Sequence, residues 1–192
     1  MYIFFSDPAR LIEVNLGFAI SANSLDSERI FQQIQDVIKA TMENYLPAII
    51  YYSVLSFGDP PVVHINFKDK MSAEDQRRTI DSIDKPSGKT SLDKALEKAR
   101  SLFKDAAMKR PAAKNILVVF VDRKSDSEMI DVKASSTLLE GDGVKVIIVG
   151  IGDEVDKREV DAVTSTLILT NTTDNPDSVA EEIIKNIDKG EQ

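Results

Sequence analysis

Cysteine is absent from this chain of 192 residues, and histidine occurs only once, at position 64. The lack of cysteine excludes a disulfide framework, a thiolate metal site and a cysteine nucleophile. His64 lies in an alternating pattern that predicts the exposed side of an edge strand, which argues against a Ser-His-Asp hydrolase and against a histidine-based zinc site. No pair of carboxylates stands out as an acid–base couple. These absences argue against hydrolase, zinc and acid–base chemistry of the common kinds.

Long apolar runs and flexible linkers are missing as well. The segment Met1–Phe5 is apolar, but it lacks a basic n-region and stops at Ser6. It therefore predicts neither a signal peptide nor a membrane span. No Pro/Gly/Ser-rich stretch divides the chain, and its 42% hydrophobic content is enough for one core. We therefore predict a single domain over residues 11–188, with an N-terminal extension at 1–10 and a C-terminal tail at 189–192.

The net charge of −8 is unevenly distributed. Residues 85–124 contain eleven Lys and Arg residues against four acids, a local excess of +7 that leaves −15 for the rest of the chain. The acidic balance argues against bulk nucleic-acid binding. The basic residues between Lys94 and Lys114 either form a face for a sulfated glycan or another polyanion, or pair with neighbouring acids on a solvated helix.

Short β-branched runs predict the strands of a buried sheet. Residues 48–57, 115–121 and 144–151 are almost free of polar interruption, which is typical of parallel strands covered on both faces. Residues 11–19 form a further central strand, interrupted by Asn15. Residues 62–67 alternate between apolar and polar, which predicts a half-exposed antiparallel edge strand.

Helical periodicity fills the intervals between these strands. Apolar residues recur at helical spacing over residues 30–42 and 92–103, and weaker patterns cover 128–139, 156–163 and 177–187. The alternation predicts an α/β fold: a doubly wound, mostly parallel six-stranded sheet with one antiparallel edge strand and helices on both faces. In such sheets ligands meet the loops at the carboxyl ends of the strands.

Four segments in order carry a family resemblance over roughly residues 11–188. Glu13–Ala19 followed by Ile20-Ser21-Ala22-Asn23 resembles the opening of a von Willebrand factor type A domain, whose first strand normally ends in D-x-S-x-S. The other three are similar to that family's G-G-T-x-T-G-x-A-L, K-x-x-V-V-x-T-D and G-V-x-V-x-x-V-G-I-G elements; they are Gly88–Leu96, Lys114–Asp122 and Val144–Gly152.

The resemblance implies a metal-ion-dependent adhesion site at these loops, where hydroxyl and aspartate oxygens hold a divalent ion and a partner's carboxylate completes the shell. Ser21, Thr90 and Asp122 match the family's ligands, whereas Ala19 and Asn23 replace the leading aspartate and the second serine. A single carboxylate offsets little of the dehydration cost of Mg²⁺, Ca²⁺ or Mn²⁺. We therefore expect no resident metal and at most weak binding of these ions.

Two cations adjoin the matching residues. Lys89 precedes Thr90 and Arg123 follows Asp122, so either is expected near the vacant ion position, where it can pair with Asp122. A structural alternative is open for the same residues, because Asp122 can cap a turn and Thr90 or Ser91 can cap the following helix.

The resemblance implies a function in adhesion. It predicts a non-enzymatic, secreted, extracellular protein-binding or matrix-scaffolding module that is not inserted in a membrane, with a matrix protein or a second module of the same kind as partner. Asn171-Thr172-Thr173 is then a glycosylation acceptor. Two alternatives are open: a receiver-like or other doubly wound enzyme that uses Asp122 at a strand end, and an inert architectural domain of a longer protein.

Overall fold

The sheet has six strands in the part of the chain that the structure describes. The structure is a computed structural model, and it describes residues 12–21, 27–47, 49–86, 88–164 and 166–189. The strands are β1 (Glu13–Ile20), β2 (Ile49–Ser56), β3 (Val62–Ile65), β4 (Lys114–Val121), β5 (Val144–Ile151) and β6 (Leu167–Thr170).

The strand order is β3-β2-β1-β4-β5-β6. All neighbouring pairs are parallel except β2 and β3, which are antiparallel. The chain starts in the middle of the sheet and builds first towards β3 and then towards β6, so the direction of winding reverses between β1 and β4. The predicted fold class is confirmed, and the point of reversal, where doubly wound sheets bind their ligands, lies at the carboxyl ends of β1 and β4.

Six helices cover the two faces of this sheet in the described ranges. The helices α1, α2 and α6 contribute apolar residues to one core cluster, and α3, α4 and α5 contribute to the other. They are α1 (Ser27–Asn44), α2 (Ala73–Asp81), α3 (Leu92–Lys109), α4 (Met129–Gly141), α5 (Lys157–Val163) and α6 (Pro176–Asp188).

Alternate residues of the central strands fill the two cores. Leu16, Phe18 and Ile20 of β1 point to the α1/α6 face, whereas Ala19 points to the α3 face. Phe18 stacks between Tyr52 and Phe120 with centroid distances of 6.5 and 6.4 Å. Burial of a side chain of this size stabilises the fold by about 2–3 kcal/mol. Because helices cover both faces of the central strands, apolar residues are favoured on both sides of each strand.

Asn15, the predicted interruption of β1, is completely buried. Its amide nitrogen donates to Asn115 Oδ1 over 2.8 Å, and its Oδ1 accepts from Arg110 Nε over 3.0 Å. The Arg110 guanidinium carbon also lies 3.7 Å from the centroid of the Tyr51 ring. The strand tolerates this polar residue because neighbouring side chains satisfy its hydrogen bonds.

The end of α6 is fixed to the start of β5. Lys145 Nζ donates to the backbone carbonyls of Asn186, Ile187 and Lys189. A cation at this position complements the partial negative charge of the helix C-terminus. The last turn of α6 therefore lies at the amino end of β5, away from the carboxyl ends of β1 and β4.

No helix among the described residues is long and apolar enough to cross a membrane.

Candidate functional site

Ser21 and Asp122 are brought together at the carboxyl ends of the two central strands. Ile20 lies opposite Phe120 in the β1–β4 register, and Ser21 N–H donates to Phe120 O over 3.1 Å. Ser21 is 4% exposed and Asp122 is 1% exposed. Asn23 belongs to residues 22–26, which lie outside the described part of the chain.

Thr90 is held by the loop that follows β4. Asp126 Oδ2 accepts from Thr90 N–H over 2.8 Å and from Thr90 Oγ1 over 3.2 Å. The Asp126 backbone N–H in turn donates to Thr90 O over 2.8 Å. The Thr90 hydroxyl is therefore already committed to a carboxylate of the same chain, and this contact was not anticipated from the sequence.

The cations Lys89 and Arg123 act on the same carboxylate. The hydrogen bond from Thr90 N–H lowers the pKa of Asp126 most, and the charges of Arg123 and Lys89 lower it further. The pairing of either cation with Asp122, which the sequence suggests, stays a prediction. Lys89 is exposed and Arg123 is partly buried, with its Nε shielded from solvent and donating to no acceptor within the described residues.

Two further acids position the β4–α4 loop. Glu159 on α5 is 3% exposed, and its carboxylate accepts from Ser125 N–H over 2.9 Å and from the Ser125 hydroxyl. Ser127 Oγ donates to the Asp93 carboxylate and accepts from Asp93 N–H over 3.3 Å. Each acid thus orders a serine of the loop through two hydrogen bonds, and the loop is preorganised from α3 and α5.

The capping alternative for this region is correct only in part. Ser91 occupies the N-cap position of α3, but its side chain makes no capping hydrogen bond. Ser127 takes over that function from the neighbouring loop by accepting the Asp93 N–H. Thr90 lies one residue before the N-cap, and its hydroxyl donates to Asp126.

The positions that hold a divalent ion in this family offer few oxygen ligands here. Ala19, at the position of the family's leading aspartate, is 1% exposed and packs in the apolar cluster of the α3 face. No group of three Asp, Glu or His side chains converges within the described ranges. Ser21, Thr90 and Asp122 therefore fit a divalent ion poorly, because they include only one carboxylate.

The prediction that His64 is exposed was wrong. The register of β3 against β2 shifts between Val54 and Leu55, where His64 is the additional residue, and the ring is partly buried. Its Nε2 lies 2.9 Å from Ser56 Oγ. Burial lowers the pKa of His64, and the charge of Asp84 opposes that shift. The alternating pattern could not reveal this, because a bulge changes the face on which a side chain lies.

The comparisons with known proteins agree with the fold. The model of the von Willebrand factor type A domain matches residues 21–186. Mouse integrin alpha-M is 25% identical over 158 residues, which cover 80% of this chain but only 14% of that protein.

Solved structures share the fold at lower identity. Proximal thread matrix protein 1 from the mussel byssus, in a form with a zinc-occupied adhesion motif, is 21% identical, with a TM-score of 0.75 over 92% of this chain and 45% of that one. The manganese-loaded TRAP protein of Plasmodium vivax is 14% identical, with a TM-score of 0.72 over 91% of this chain and 72% of that one. Since the family model matches most of its length, the chain belongs to the von Willebrand factor type A domain family.

Proposed function

We propose that this chain is a non-enzymatic, extracellular protein-binding module for adhesion or matrix scaffolding, and that it recognises its partner without a bound divalent metal. The observation that carries the proposal is that Thr90 donates two hydrogen bonds to the Asp126 carboxylate at the strand ends, while the charges of Arg123 and Lys89 act on the same group. These groups supply hydrogen-bond donors and positive charge, which a protein's acidic side chain needs for recognition. The partner is a matrix protein or a second module of this kind.

Independence from metal is supported by the side chains at the carboxyl ends of β1 and β4. The Ala19 methyl group lies where the family's pattern has a carboxylate, and the cations Lys89 and Arg123 raise the electrostatic cost of placing a divalent ion nearby. Positive side chains also provide the attraction for a partner's acid that an ion provides elsewhere.

The metal question is tested by calorimetric titration with Mn²⁺ and Mg²⁺. We expect no binding tighter than about 1 mM. A variant with Ala19→Asp and Asn23→Ser restores the family's pattern and is the positive control, for which we expect measurable binding. Submillimolar binding to the unmodified chain would contradict metal independence.

Partner recognition is tested by solid-phase binding to immobilised collagen and to an immobilised second copy of the chain. Each surface is probed once in EDTA and once in 2 mM Mg²⁺, which is about twice the dissociation constant of 1 mM expected for the tightest binding. We expect retention on at least one surface with equal strength in both buffers. Retention that is lost in EDTA argues for a metal-dependent site, and no retention on either surface argues against the adhesion proposal.

The enzymatic alternative uses Asp122 as a phosphoacceptor. Asp122 is 1% exposed, which leaves little room for a phosphoryl donor, and no second acid lies at positions 19–21, at the end of β1, to help hold Mg²⁺. Labelling with acetyl phosphate separates the two functions: we expect no incorporation, and incorporation that disappears in an Asp122→Asn variant would favour the enzyme.

A polyanionic glycan is less favoured than a protein partner. Lys94 pairs with Asp59 over 2.6 Å, and Arg100 and Lys104 both pair with Asp142. Arg110 is occupied by Asn15 and Tyr51. The basic stretch therefore resembles a helix surface with local ion pairs more than an open cationic face.

A further inference from the structure

The contacts of Asp126 define a small binding site for one carboxylate. We call Lys89, Thr90 and Arg123 the cradle. Thr90 directs both its backbone N–H and its hydroxyl at a single oxygen, Oδ2, over 2.8 and 3.2 Å. Lys89 and Arg123 add positive charge on the same group. Hydrogen bonds from neutral and charged donors to an ionised carboxylate are the usual means of carboxylate recognition.

The present occupant of the cradle belongs to the chain itself. Asp126 is an exposed residue of the β4–α4 loop, and its carboxylate lies partly buried against Thr90, which is itself 3% exposed. The neighbouring serines hold the loop independently of that carboxylate, through Glu159 on one side and Asp93 on the other. Removal of the Asp126 side chain therefore leaves the loop with most of its anchors.

The cradle also has donor capacity that Asp126 does not use. Arg123 Nε is shielded from solvent and donates to no acceptor among the described residues. A buried donor without an acceptor is costly, so a conformation in which the guanidinium meets another carboxylate is favoured. Lys89 is exposed, and its charge is accessible from solvent at the same edge.

We propose that Asp126 is an internal ligand that occupies the cradle, and that an acidic side chain of a partner binds by displacing it. This inference rests on the proposed function and makes it specific: the recognised group is a carboxylate in an acidic peptide segment, and Asp126 sets its affinity. If Asp126 occupies the cradle about nine-tenths of the time, the apparent affinity for an external carboxylate is reduced about tenfold.

The test measures fluorescence anisotropy of a labelled hexaglutamate peptide, with hexaglutamine as the neutral control. We expect an Asp126→Ala variant to bind hexaglutamate about tenfold more tightly than the unmodified chain, with no change for hexaglutamine. Asp131→Ala is the matched control, because Asp131 is an exposed acid at the start of α4 and its removal changes the net charge equally. We expect this control to lie within twofold of the unmodified chain.

A second variant protects the test against a folding defect. Asp126→Asn keeps a carbonyl acceptor for the Thr90 N–H but loses the charge that Lys89 and Arg123 attract, and we expect about a threefold gain over Asp131→Asn. Adding Arg123→Ala to Asp126→Ala should abolish the gain. Equal affinities of the Asp126 variants and their Asp131 controls would overturn the inference.

Failure of this inference is distinguishable from failure of the proposed function. If the unmodified chain is retained on collagen or on its own copy in EDTA while the Asp126 and Asp131 variants behave alike, the internal-ligand inference is wrong and the adhesion function stands. If neither surface nor hexaglutamate is bound by the unmodified chain or any variant, both are wrong.

Discussion

Replacement of Glu159 by alanine should destabilise the domain and loosen the loop beside the binding edge. The Glu159 carboxylate is 3% exposed and accepts two hydrogen bonds from Ser125. A hydrogen bond to a charged group contributes about 1.5–3 kcal/mol, but the cost of desolvating the carboxylate offsets part of that gain and water can reach the partly buried Ser125. We therefore expect a loss of about 3 kcal/mol in the free energy of unfolding, or about 6–12 °C in melting temperature for a chain of this size.

Thermal melting and amide hydrogen exchange measure the two consequences separately. Glu159→Ala should lower the melting temperature and speed exchange at Ser125 and Asp126. Glu159→Gln is the matched control: its carbonyl still accepts the Ser125 N–H, so a loss of only about 1 kcal/mol is expected. A Glu159→Ala variant that melts within about 1 °C of the unmodified chain, with unchanged exchange in the loop, would refute the assignment of Glu159 as the loop's anchor.

Three further predictions concern other parts of the chain. Burial lowers the pKa of His64, so the imidazole takes up its proton more readily in the unfolded state. The free energy of unfolding should therefore fall as the pH drops below about 6.5 towards the folded pKa, by less than about 1.4 kcal/mol per pH unit. The melting temperatures at pH 7.5 and 5.5 should differ less in a His64→Gln variant than in the unmodified chain. Asn15→Ala leaves the Arg110 Nε without its buried acceptor and should cost about 2–4 kcal/mol in urea unfolding at unchanged m-value, whereas a loss below about 0.5 kcal/mol would contradict this account. Asn171 is exposed in a turn, so the chain expressed through a eukaryotic secretory pathway should carry one glycan that a glycosidase removes and that Thr173→Ala prevents; an unshifted band in the unmodified chain would contradict the prediction.

Most of the fold could be predicted because its signals are local. The strand Val144–Ile151 has the same bounds in sequence and structure, since an uninterrupted apolar run is typical of a strand buried on both faces. Apolar periodicity could not predict the bounds of α2, because only Ile80 of its residues is buried. The domain limits of 11 and 188 stay a prediction.

The site was predictable only in its position. The strand-end rule located Ser21 and Asp122 at neighbouring strand ends, and the structure confirms that proximity. It could not select Asp126 or Glu159 from the 32 acidic residues of the chain, because both contacts depend on how distant helices pack. The roles of Ser21, Asn23 and the cations in binding stay proposals.

The attachment of α6 to β5 has a mechanical consequence. Ile12 precedes β1 at the amino ends of the parallel strands, and Lys145 holds the end of α6 at those same strand ends. The cradle lies at the carboxyl ends of the strands. A pulling force between a partner in the cradle and an anchor at Ile12 would therefore run along β1. That strand is hydrogen-bonded to parallel strands on both sides, so the force would shear its two ladders and load their hydrogen bonds together, which favours resistance to tension over stepwise unzipping.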